Sequence, residues 1–404
     1  MSDERAQARW QLFAASLAVV LGLAPWFSAT AVGPAMVAEW QLSAAASAWL
    51  TMAVQIGFVA GTLVSAGWML SDRWSAERLA AWSSGLAGVS TAAIAWGAHS
   101  GSAAIALRAV TGAALAGVYP PAMKLVAGWW RQGRGLAIGI LVGALSLGSA
   151  SPHLLRLFLP ADAWRSLMLA AALSAMLAAL VFAFAVRPGP YQAPSSRLDR
   201  HALAAVLRDR AVMLATGGYL GHMWELYAMW SWMLAFWVAV AAQRALAPSL
   251  PAVMTFAAIG AGGVGCVIGG WLADRLGRTT VTIGAMLVSG ACALAIGPAS
   301  GTSLLVLTTI TLLWGLSVVA DSAQFSACVT ELVPGEYTGT ALTLQTSLGF
   351  LLTMVSIRSV PLWVARWGWT YAFMPLAAGP LLGCIAMWRL RRLPEATRLA
   401  GGAR

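Results

Sequence analysis

Several ionisable side chains stand inside long apolar runs of this chain, among them Arg108, Glu225 and Asp321. A charge near the centre of a lipid bilayer costs roughly 2.5–3.5 kcal/mol on insertion scales, so each of them requires a partner or a function. A carboxyl group at such a depth can take up and release a proton, and a guanidinium group can hold an anion. These residue types in apolar surroundings therefore predict solute binding and proton transfer.

Five residues form the predicted substrate-binding set. Arg108 and Tyr119 are eleven residues apart, a spacing that puts both on one face of a continuous helix. Trp26 and Tyr227 would add aromatic surface, and Gln324 would add a polar amide. Alternatives remain open for two members of the set. Arg108 could instead form a structural ion pair or extend to the outer surface. Trp26 could be an anchor at the membrane interface, where tryptophans are common.

The predicted proton-coupling set consists of Glu225, Asp321 and His222. For Glu225, contact with a cation and a static hydrogen bond are the alternatives to proton coupling, and His222, one turn before it, is a candidate partner for such a bond. Asp321 could alternatively bind a substrate cation, pair with a basic residue of the other half of the chain, or form a structural pair at the cytoplasmic end of its span. A further histidine, His153, is expected at the outer rim of its apolar run.

Composition makes lipid part of the solvent of this chain. Of its 404 residues, 60% are hydrophobic and 10% are charged, and the mean hydropathy is +0.76. A soluble protein of this length could not bury so much apolar surface. The net charge of +11 is spread over short polar segments rather than one basic stripe, which argues against nucleic-acid binding. The four cysteines show no CxxC spacing and the four histidines are scattered, so we predict no metal and no cofactor.

The apolar runs predict an all-α membrane protein with twelve transmembrane helices in two pseudo-symmetric six-helix bundles. The N-terminal bundle covers residues 1–186, a cytoplasmic linker covers 187–211, and the C-terminal bundle covers 212–404. The first run is longer than the core of a signal peptide, so we expect it to be retained. The predicted spans are 11–35, 47–70, 79–98, 102–127, 135–158, 164–186, 212–241, 252–273, 280–299, 303–327, 339–361 and 368–388.

The distribution of basic residues predicts the orientation. With the N-terminus inside, 18 of the 25 Lys and Arg residues lie on the cytoplasmic side and five on the far side. Cytoplasmic loops carry the excess of basic residues in membrane proteins. Both termini are therefore expected in the cytoplasm, and the membrane is expected to be a bacterial inner membrane.

A charged, glycine-rich turn occurs twice, 202 residues apart. The segment 270–278 reads GWLADRLGR, and 67–73 reads GWMLSDR, so Asp72 corresponds to Asp274. A second pair of similar short segments, 134–137 and 338–341, lies 204 residues apart and also supports the duplication. The repetition predicts a duplicated bundle, and Asp274 is expected to cap the start of the helix that follows the turn.

Twelve spans, a six-plus-six duplication, a central linker and the G-x-x-x-D-R-x-G-R turn together resemble the major facilitator superfamily. In that family the turn is a conformational latch, and the resemblance implies this role for Asp72, Arg73, Gly270, Asp274, Arg275, Gly277 and Arg278. The segment RAVTG that begins at Arg108 is similar to the R-x-x-x-G segment of many proton-coupled members. The glycine-rich segment 139–148 has Ala144 where the antiporter segment has proline, and this puts drug/proton antiport in doubt.

The function expected from this resemblance is secondary active transport by alternating access, as proton-coupled uptake of a small organic anion. The first alternative is proton-driven efflux of cationic or amphipathic compounds. The second is a membrane enzyme or sensor, against which stand the lack of clustered catalytic groups and the short termini. No Walker A turn is present to bind ATP. The expected partners are a small-molecule substrate, protons and the lipid bilayer, with no nucleic acid, and the chain is expected to be a monomer.

Overall fold

The computed structural model describes residues 2–68, 70, 74–130, 134–160, 163–191 and 200–403. Within these ranges the regular structure is helical. Contacts between Cα atoms divide the chain into two compact units, unit 1 from Met1 to Ser195 and unit 2 from Ser196 to Arg404. Each unit has its own helices and its own buried side chains.

The described residues of unit 1 form eight helices and one short 3₁₀ turn, Arg156–Phe158. The helices are α1 (Ser2–Ala31), α2 (Gly33–Trp40), α3 (Ala44–Gly67), α4 (Ala76–Gly97), α5 (Gly101–Leu115), α6 (Tyr119–Ala127), α7 (Arg134–Leu155) and α8 (Trp164–Phe184). Ser43 caps α3 and Ser100 caps α5, each through a side-chain oxygen that accepts from a backbone N–H three residues on.

Unit 2 repeats this order after a short helix, α9 (Arg200–Arg208). Its other helices are α10 (Arg210–Gln243), α11 (Leu250–Leu276), α12 (Arg278–Ala299), α13 (Leu304–Ala320), α14 (Ser322–Leu332), α15 (Thr338–Ala372, interrupted at Gly368) and α16 (Ala378–Arg391). Short 3₁₀ segments precede α15 and α16, and another, Pro394–Gly402, follows α16. Helix α4 shifted by 202 residues has the same bounds as α12, which supports the duplication read from the sequence.

Ten helical segments of the described chain are long and apolar enough to cross a membrane. They correspond to ten of the twelve predicted spans. The other two predicted spans are the helices α4 and α16, and α16 has only 14 residues. The predicted long helix over 102–127 is in fact two helices.

The span that holds Arg108 breaks between α5 and α6, and its counterpart in unit 2 breaks at the same register. Helix α6 begins at Tyr119, and Asp321, 202 residues later, separates α13 from α14. Prolines at 120 and 121 lack the N–H groups that would continue α5, so the chain turns through i→i−3 bonds instead. Because of this break, the prediction that Arg108 and Tyr119 share one continuous helical face is wrong.

In each unit a glycine lets a neighbouring helix pack closely against the broken span, with backbone atoms in contact. The neighbouring helix is α3 in unit 1 and α11 in unit 2. A Cβ atom on Gly112 of α5 would lie 2.0 Å from the carbonyl oxygen of Val54 in α3. In unit 2, a Cβ atom on Gly315 of α13 would lie 1.9 Å from the carbonyl oxygen of Ala258 in α11. Both distances are far below van der Waals contact, so only glycine fits at these crossings.

Candidate functional site

Arg108 lies in α5 with its side chain fully buried, and its guanidinium group is surrounded by carbonyl oxygens. Nε donates to the carbonyl oxygen of Leu50 at 3.0 Å, and Nη1 donates to that of Pro25 at 2.6 Å. Nη2 donates to the carbonyl oxygen of Trp26, and Nη1 also lies 3.5 Å from Oγ of Ser28. Every hydrogen-bond partner is neutral, and no carboxylate of a described residue lies within 4 Å of the guanidinium.

Apart from the carbonyl oxygen of Leu50 in α3, the acceptors around Arg108 come from a proline-containing stretch of α1. Pro25 has no N–H to donate to the carbonyl oxygen of Leu21, and the hydroxyl of Ser174 in α8 donates to that oxygen at 2.8 Å. The Ser28 hydroxyl donates back to the carbonyl oxygen of Pro25 at 2.9 Å. Carbonyl oxygens of this otherwise apolar helix therefore face Arg108 and accept hydrogen bonds from its guanidinium group.

Two aromatic residues of the predicted substrate set occupy different environments in unit 1. Trp26 is buried, and its ring centroid lies 5.1 Å from that of Phe58 in α3. Tyr119 is partly exposed at the first position of α6. Of the predicted substrate set, Arg108 and Trp26 are in contact, because the Trp26 backbone oxygen accepts from Arg108.

Glu225 lies in α10 and is 1% exposed, with both carboxylate oxygens engaged by neutral donors. The hydroxyl of Ser289 in α12 donates to Oε2 at 2.8 Å, and the indole N–H of Trp314 in α13 donates to Oε1 at 2.7 Å. Glu225 therefore has static hydrogen bonds, as one of the alternatives expected, but they come from α12 and α13 and not from the suggested partner His222.

His222 pairs with Asp321 instead. Its Nδ1 lies 2.8 Å from Oδ1 of Asp321, and both side chains are at most 2% exposed. The imidazole packs against Phe325, with ring centroids 5.5 Å apart, and its Nε2 has no hydrogen-bond partner among the described residues. The sequence had suggested a basic residue of the other half of the chain as a partner of Asp321. In the structure Asp321 pairs with His222, a residue of its own unit.

Gln324, predicted to bind substrate, lies in a charged cluster at one end of unit 2. Its Oε1 accepts from Nη1 of Arg278 at 2.7 Å. Arg278 also forms a bidentate ion pair with Glu331, in which Nε donates to Oε2 at 2.8 Å and Nη2 donates to Oε1 at 2.5 Å. The backbone N–H of Ala400, in the segment after α16, donates to the same Glu331 carboxylate at 2.9 Å.

The turn 270–278 ends α11 and starts α12. Asp274 lies inside α11, and the residue that precedes α12 is Gly277, without a side-chain cap, so the prediction that Asp274 caps α12 is wrong. Gly277 has φ of 90°, which favours glycine. The Arg275 guanidinium lies 3.8 Å from the ring centroid of Trp271. Gly270 is buried within α11.

The first copy of the turn is only partly described. Asp72 and Arg73 lie outside the described residues. Ser75, the counterpart of Gly277, has φ of −64° and is the residue before α4. An extended backbone at this position accepts any residue, which explains why the first copy does not need the glycine of the second.

Several residues at these sites were not predicted as ligands or partners. Ser289 and Glu331 carry no sequence signal, because they become significant only through the helices that bring them to Glu225 and Arg278. Gln55 and Gln345 are fully buried, and neither amide group has a hydrogen-bond partner among the described residues. His153, expected at a rim, is also fully buried. Tyr227 of the substrate set packs on Phe350 of α15 with ring centroids 5.1 Å apart.

A duplicated set of membrane-length helices with buried ionisable groups defines a class of protein, the polytopic membrane transporters. Within this class, the family model of the Major Facilitator Superfamily matches residues 14–357 of the chain. The chain belongs to this superfamily, and it is therefore a multi-pass membrane transporter with the twelve-helix fold of the family and not an enzyme.

Two similar proteins agree with this assignment. The chain is 30% identical over 170 residues to the MFS-type transporter pytF of Aspergillus terreus, a match that covers 41% of this chain and 55% of that protein. The match thus spans about half the length of that relative. The solved structure of the proton:xylose symporter XylE, bound to 6-bromo-6-deoxy-D-glucose, superimposes with a TM-score of 0.74 at 14% identity, over 96% of each chain. At this identity the superposition shows the fold alone.

Proposed function

We propose that this transporter takes up a small organic anion together with protons. The observation that carries the proposal is the Arg108 guanidinium, which is fully buried and has only neutral hydrogen-bond partners. A buried positive charge without a carboxylate partner favours an approaching anion, because the anion would supply the missing counter-charge. Trp26 and Tyr119 of unit 1, and Tyr227 and Gln324 of unit 2, remain the proposed substrate contacts.

Glu225 is the proposed proton-coupling residue. Its carboxylate accepts from the Ser289 hydroxyl, which also lies 3.2 Å from the carbonyl oxygen of Met286. When Glu225 is protonated, the Ser289 hydroxyl can turn to Met286 and accept the new O–H through its own oxygen. The site thus satisfies the hydrogen bonds of both protonation states, which supports a group that exchanges a proton in each cycle.

The His222–Asp321 pair is the proposed second proton site. It lies in the same unit, and His222 is one turn from Glu225 on α10. The 2.8 Å separation between the imidazole Nδ1 and the carboxylate Oδ1 supports a path for a proton between the two groups. Asp321 also marks the helix break between α13 and α14, where a local rearrangement requires the fewest broken helical bonds.

The transport cycle is proposed to proceed by alternating access, with residues 1–186 and 212–404 as the two bundles and 187–211 as the linker. The latch residues are proposed to be Asp72, Arg73, Gly270, Asp274, Arg275, Gly277 and Arg278. The Arg278–Glu331 contact, with Gln324 beside it, supports a charged cluster that forms and breaks as the carrier changes state. Both termini are proposed to lie in the cytoplasm of a bacterium, with the chain in the inner membrane as a monomer.

The test is solute movement in proteoliposomes with an imposed pH gradient, inside alkaline. Small carboxylates are screened beside organic cations on the wild type, Arg108→Ala and Glu225→Gln. We expect carboxylate accumulation in the wild type, no transport in Arg108→Ala, and exchange without gradient-driven accumulation in Glu225→Gln. The exposed residues Arg389 and Glu39 provide matched controls, Arg389→Ala and Glu39→Gln, which should accumulate solute at wild-type rates. Wild-type rates in both site variants would overturn the site assignment, and accumulation that is independent of the gradient would overturn proton coupling.

A second candidate function is proton-driven efflux of a cationic or amphipathic compound. The observation in its favour is that the Glu225 carboxylate, like Arg108, has only neutral hydrogen-bond partners, one of them the Trp314 indole. A carboxylate beside an aromatic ring can hold an organic cation. In the same liposomes, this function requires that an organic cation move against the proton flux and that Arg108→Ala retain this movement.

A further inference from the structure

One end of unit 2 carries an open groove between α12 and α16. Ile283 of α12 and Trp388, Arg391 and Arg392 of α16 line it, and its volume is about 610 Å³. The two helices pack together below the groove, where Sγ of Cys384 lies 3.6 Å from the carbonyl oxygen of Ile283. This volume is within the range of clefts that hold small-molecule groups.

The polar part of the groove is held in place by contacts within the protein. Nη1 of Arg391 donates to Oγ1 of Thr280 at 2.8 Å, which fixes that guanidinium against α12. The guanidinium of Arg392 lies 3.4 Å from the ring centroid of Trp388. Among the described residues no carboxylate lies within 4 Å of either arginine, so both positive charges are available to an anion.

The groove continues into an apolar surface on α16. Leu381, Ile385 and Trp388 precede Arg392 at intervals of four, three and four residues, which places all four on one side of the helix. The three apolar side chains are 61%, 41% and 45% exposed. A ligand whose charged group reached the arginines could therefore lay an apolar portion along this surface.

We propose that this groove binds an anionic phospholipid, with its phosphate between Arg391 and Arg392 and an acyl chain along Leu381 and Ile385. Guanidinium groups bind phosphate through paired hydrogen bonds, and two arginines that are already ordered lose little conformational entropy on binding. Basic pockets between membrane helices bind anionic headgroups in the same way. The apolar stripe favours a lipid over a soluble phosphate, because only a lipid would cover it.

The inference is independent of what the carrier transports, so its test measures binding alone. The full-length protein in detergent is titrated with phosphatidylglycerol, with phosphatidylcholine of the same acyl chains and with glycerol 3-phosphate. Native mass spectrometry gives the dissociation constant of the first bound molecule. The variants are Arg392→Gln, Arg391→Gln/Arg392→Gln and Trp388→Leu. Arg389→Gln, an exposed arginine that does not line the groove, is the matched control.

We expect the wild type to bind phosphatidylglycerol more tightly than phosphatidylcholine, and glycerol 3-phosphate at least a hundredfold more weakly than phosphatidylglycerol. Each arginine near an anionic lipid is worth about fivefold, so the double variant should bind about 30-fold more weakly and Arg392→Gln about fivefold more weakly. Arg389→Gln should stay within twofold of the wild type. Arg392→Gln removes no hydrogen bond to Thr280, so it tests the site even if the double variant unfolds.

Three results would overturn the proposal. The first is equal affinity of the wild type for the two lipids. The second is an equal loss in Arg389→Gln and Arg392→Gln, which would mean that surface charge alone attracts the lipid. The third is tight binding of glycerol 3-phosphate, which would make the groove a site for soluble phosphates.

Discussion

The two units share most of their helix order, yet they bury different ionisable residues within their spans. Arg278, which is also buried in unit 2, lies at the first position of α12 and pairs with Glu331. Unit 1 buries Arg108, whose guanidinium is bound by backbone carbonyl oxygens of α1 and α3. Unit 2 buries Glu225 and Asp321, which are held by side chains: Ser289, Trp314 and His222. The shared fold therefore sets where helices bend and cross, whereas individual substitutions determine the charge that each unit carries.

The chemical nature of the partners also differs between the units, and this difference has a consequence for function. Backbone oxygens cannot change their protonation, so the environment of Arg108 is fixed for as long as α1 keeps its shape. The hydroxyl of Ser289 can rotate, so it can donate to a charged Glu225 carboxylate or accept from a protonated one. This contrast supports charge recognition in unit 1 and proton exchange in unit 2.

The largest effect is expected for Arg108, the residue that distinguishes unit 1. Arg108→Met leaves the carbonyl oxygens of Leu50, Pro25 and Trp26 without their donor, at a cost of about 3 kcal/mol in the free energy of unfolding. Arg108→Lys keeps the charge but has three donors in place of five, so it should restore part of the stability and not the transport. Unfolding equilibria in mixed micelles and liposome uptake measure the two properties.

Arg389→Met, at an exposed arginine, is the control for this prediction and should change stability by less than about 0.5 kcal/mol. If Arg108→Met proves as stable as the wild type, the carbonyl oxygens of Leu50, Pro25 and Trp26 do not need the guanidinium group as a donor. The contrast between the two units then loses its structural basis.

Substitutions at the two glycines where helices pack closely test a feature that the units share. Gly112→Ala in unit 1 and Gly315→Ala in unit 2 each place a Cβ atom about 2 Å from a backbone oxygen, at Val54 and Ala258. Both should destabilise by about 2 kcal/mol, because the helices must separate. Gly284→Ala has no heavy atom within 4 Å of the added Cβ and should be neutral or stabilising. Unequal effects at the two crossings would show that only one unit depends on close approach.

A double-mutant cycle on His222 and Asp321 tests the pairing that is specific to unit 2. His222→Gln, Asp321→Asn and the double variant should show a coupling of about 1.5 kcal/mol in unfolding free energy, since both side chains are buried and 2.8 Å apart. Additive effects would mean that the two groups stabilise the protein independently and do not share a proton.

The smallest effect is expected at the exposed ion pair of unit 1, between Glu39 of α2 and Arg165 of α8, at 2.5 Å. Arg165→Gln should cost at most about 0.5 kcal/mol at low salt, because exposed ion pairs are screened by solvent. Hydrogen bonds from Arg165 and Trp164 hold the pKa of Glu39 below its ordinary value. This contribution is therefore complete above the ordinary pKa and is lost as pH falls through the lowered pKa.

Thermal unfolding of the wild type and Arg165→Gln over a pH series measures this contribution. The two midpoints should differ slightly at neutral pH and converge in acid. A difference that persists in acid would point to a role of Arg165 other than its pairing with Glu39. The contact of Arg165 with the Trp164 ring, 4.2 Å from the ring centroid, is the candidate for such a role.

The family and the fold could be predicted from the sequence because both depend on long-range regularities. Apolar runs of bilayer length, the offset of 202 residues and the turn at 270–278 are visible without coordinates. Family membership and the twelve-helix fold are confirmed. Helix breaks were harder to place, because prolines 120 and 121 permit either a bend or a new helix start, and the surrounding contacts decide between them.

The partners of the buried groups could not be predicted, for a different physical reason. Arg108 binds backbone oxygens, and every residue has one, so no residue type marks an acceptor. Glu225 was one turn from His222 in sequence, yet the adjacent helices α12 and α13 supply its donors. Gln324 was predicted to bind substrate, but its contact with Arg278 of the turn could not be foreseen. Side-chain direction across helices requires the packed structure.

The matched helix breaks at Tyr119 and Asp321 also carry information about ancestry. A feature found at the same register in both copies is inherited most simply from the single ancestral unit, before the gene doubled. The buried charges have no such counterparts, since the positions equivalent to Arg108 and Glu225 are Ile310 and Leu23. The two copies therefore share the position of the helix break and differ in the ionisable residues that they bury near it.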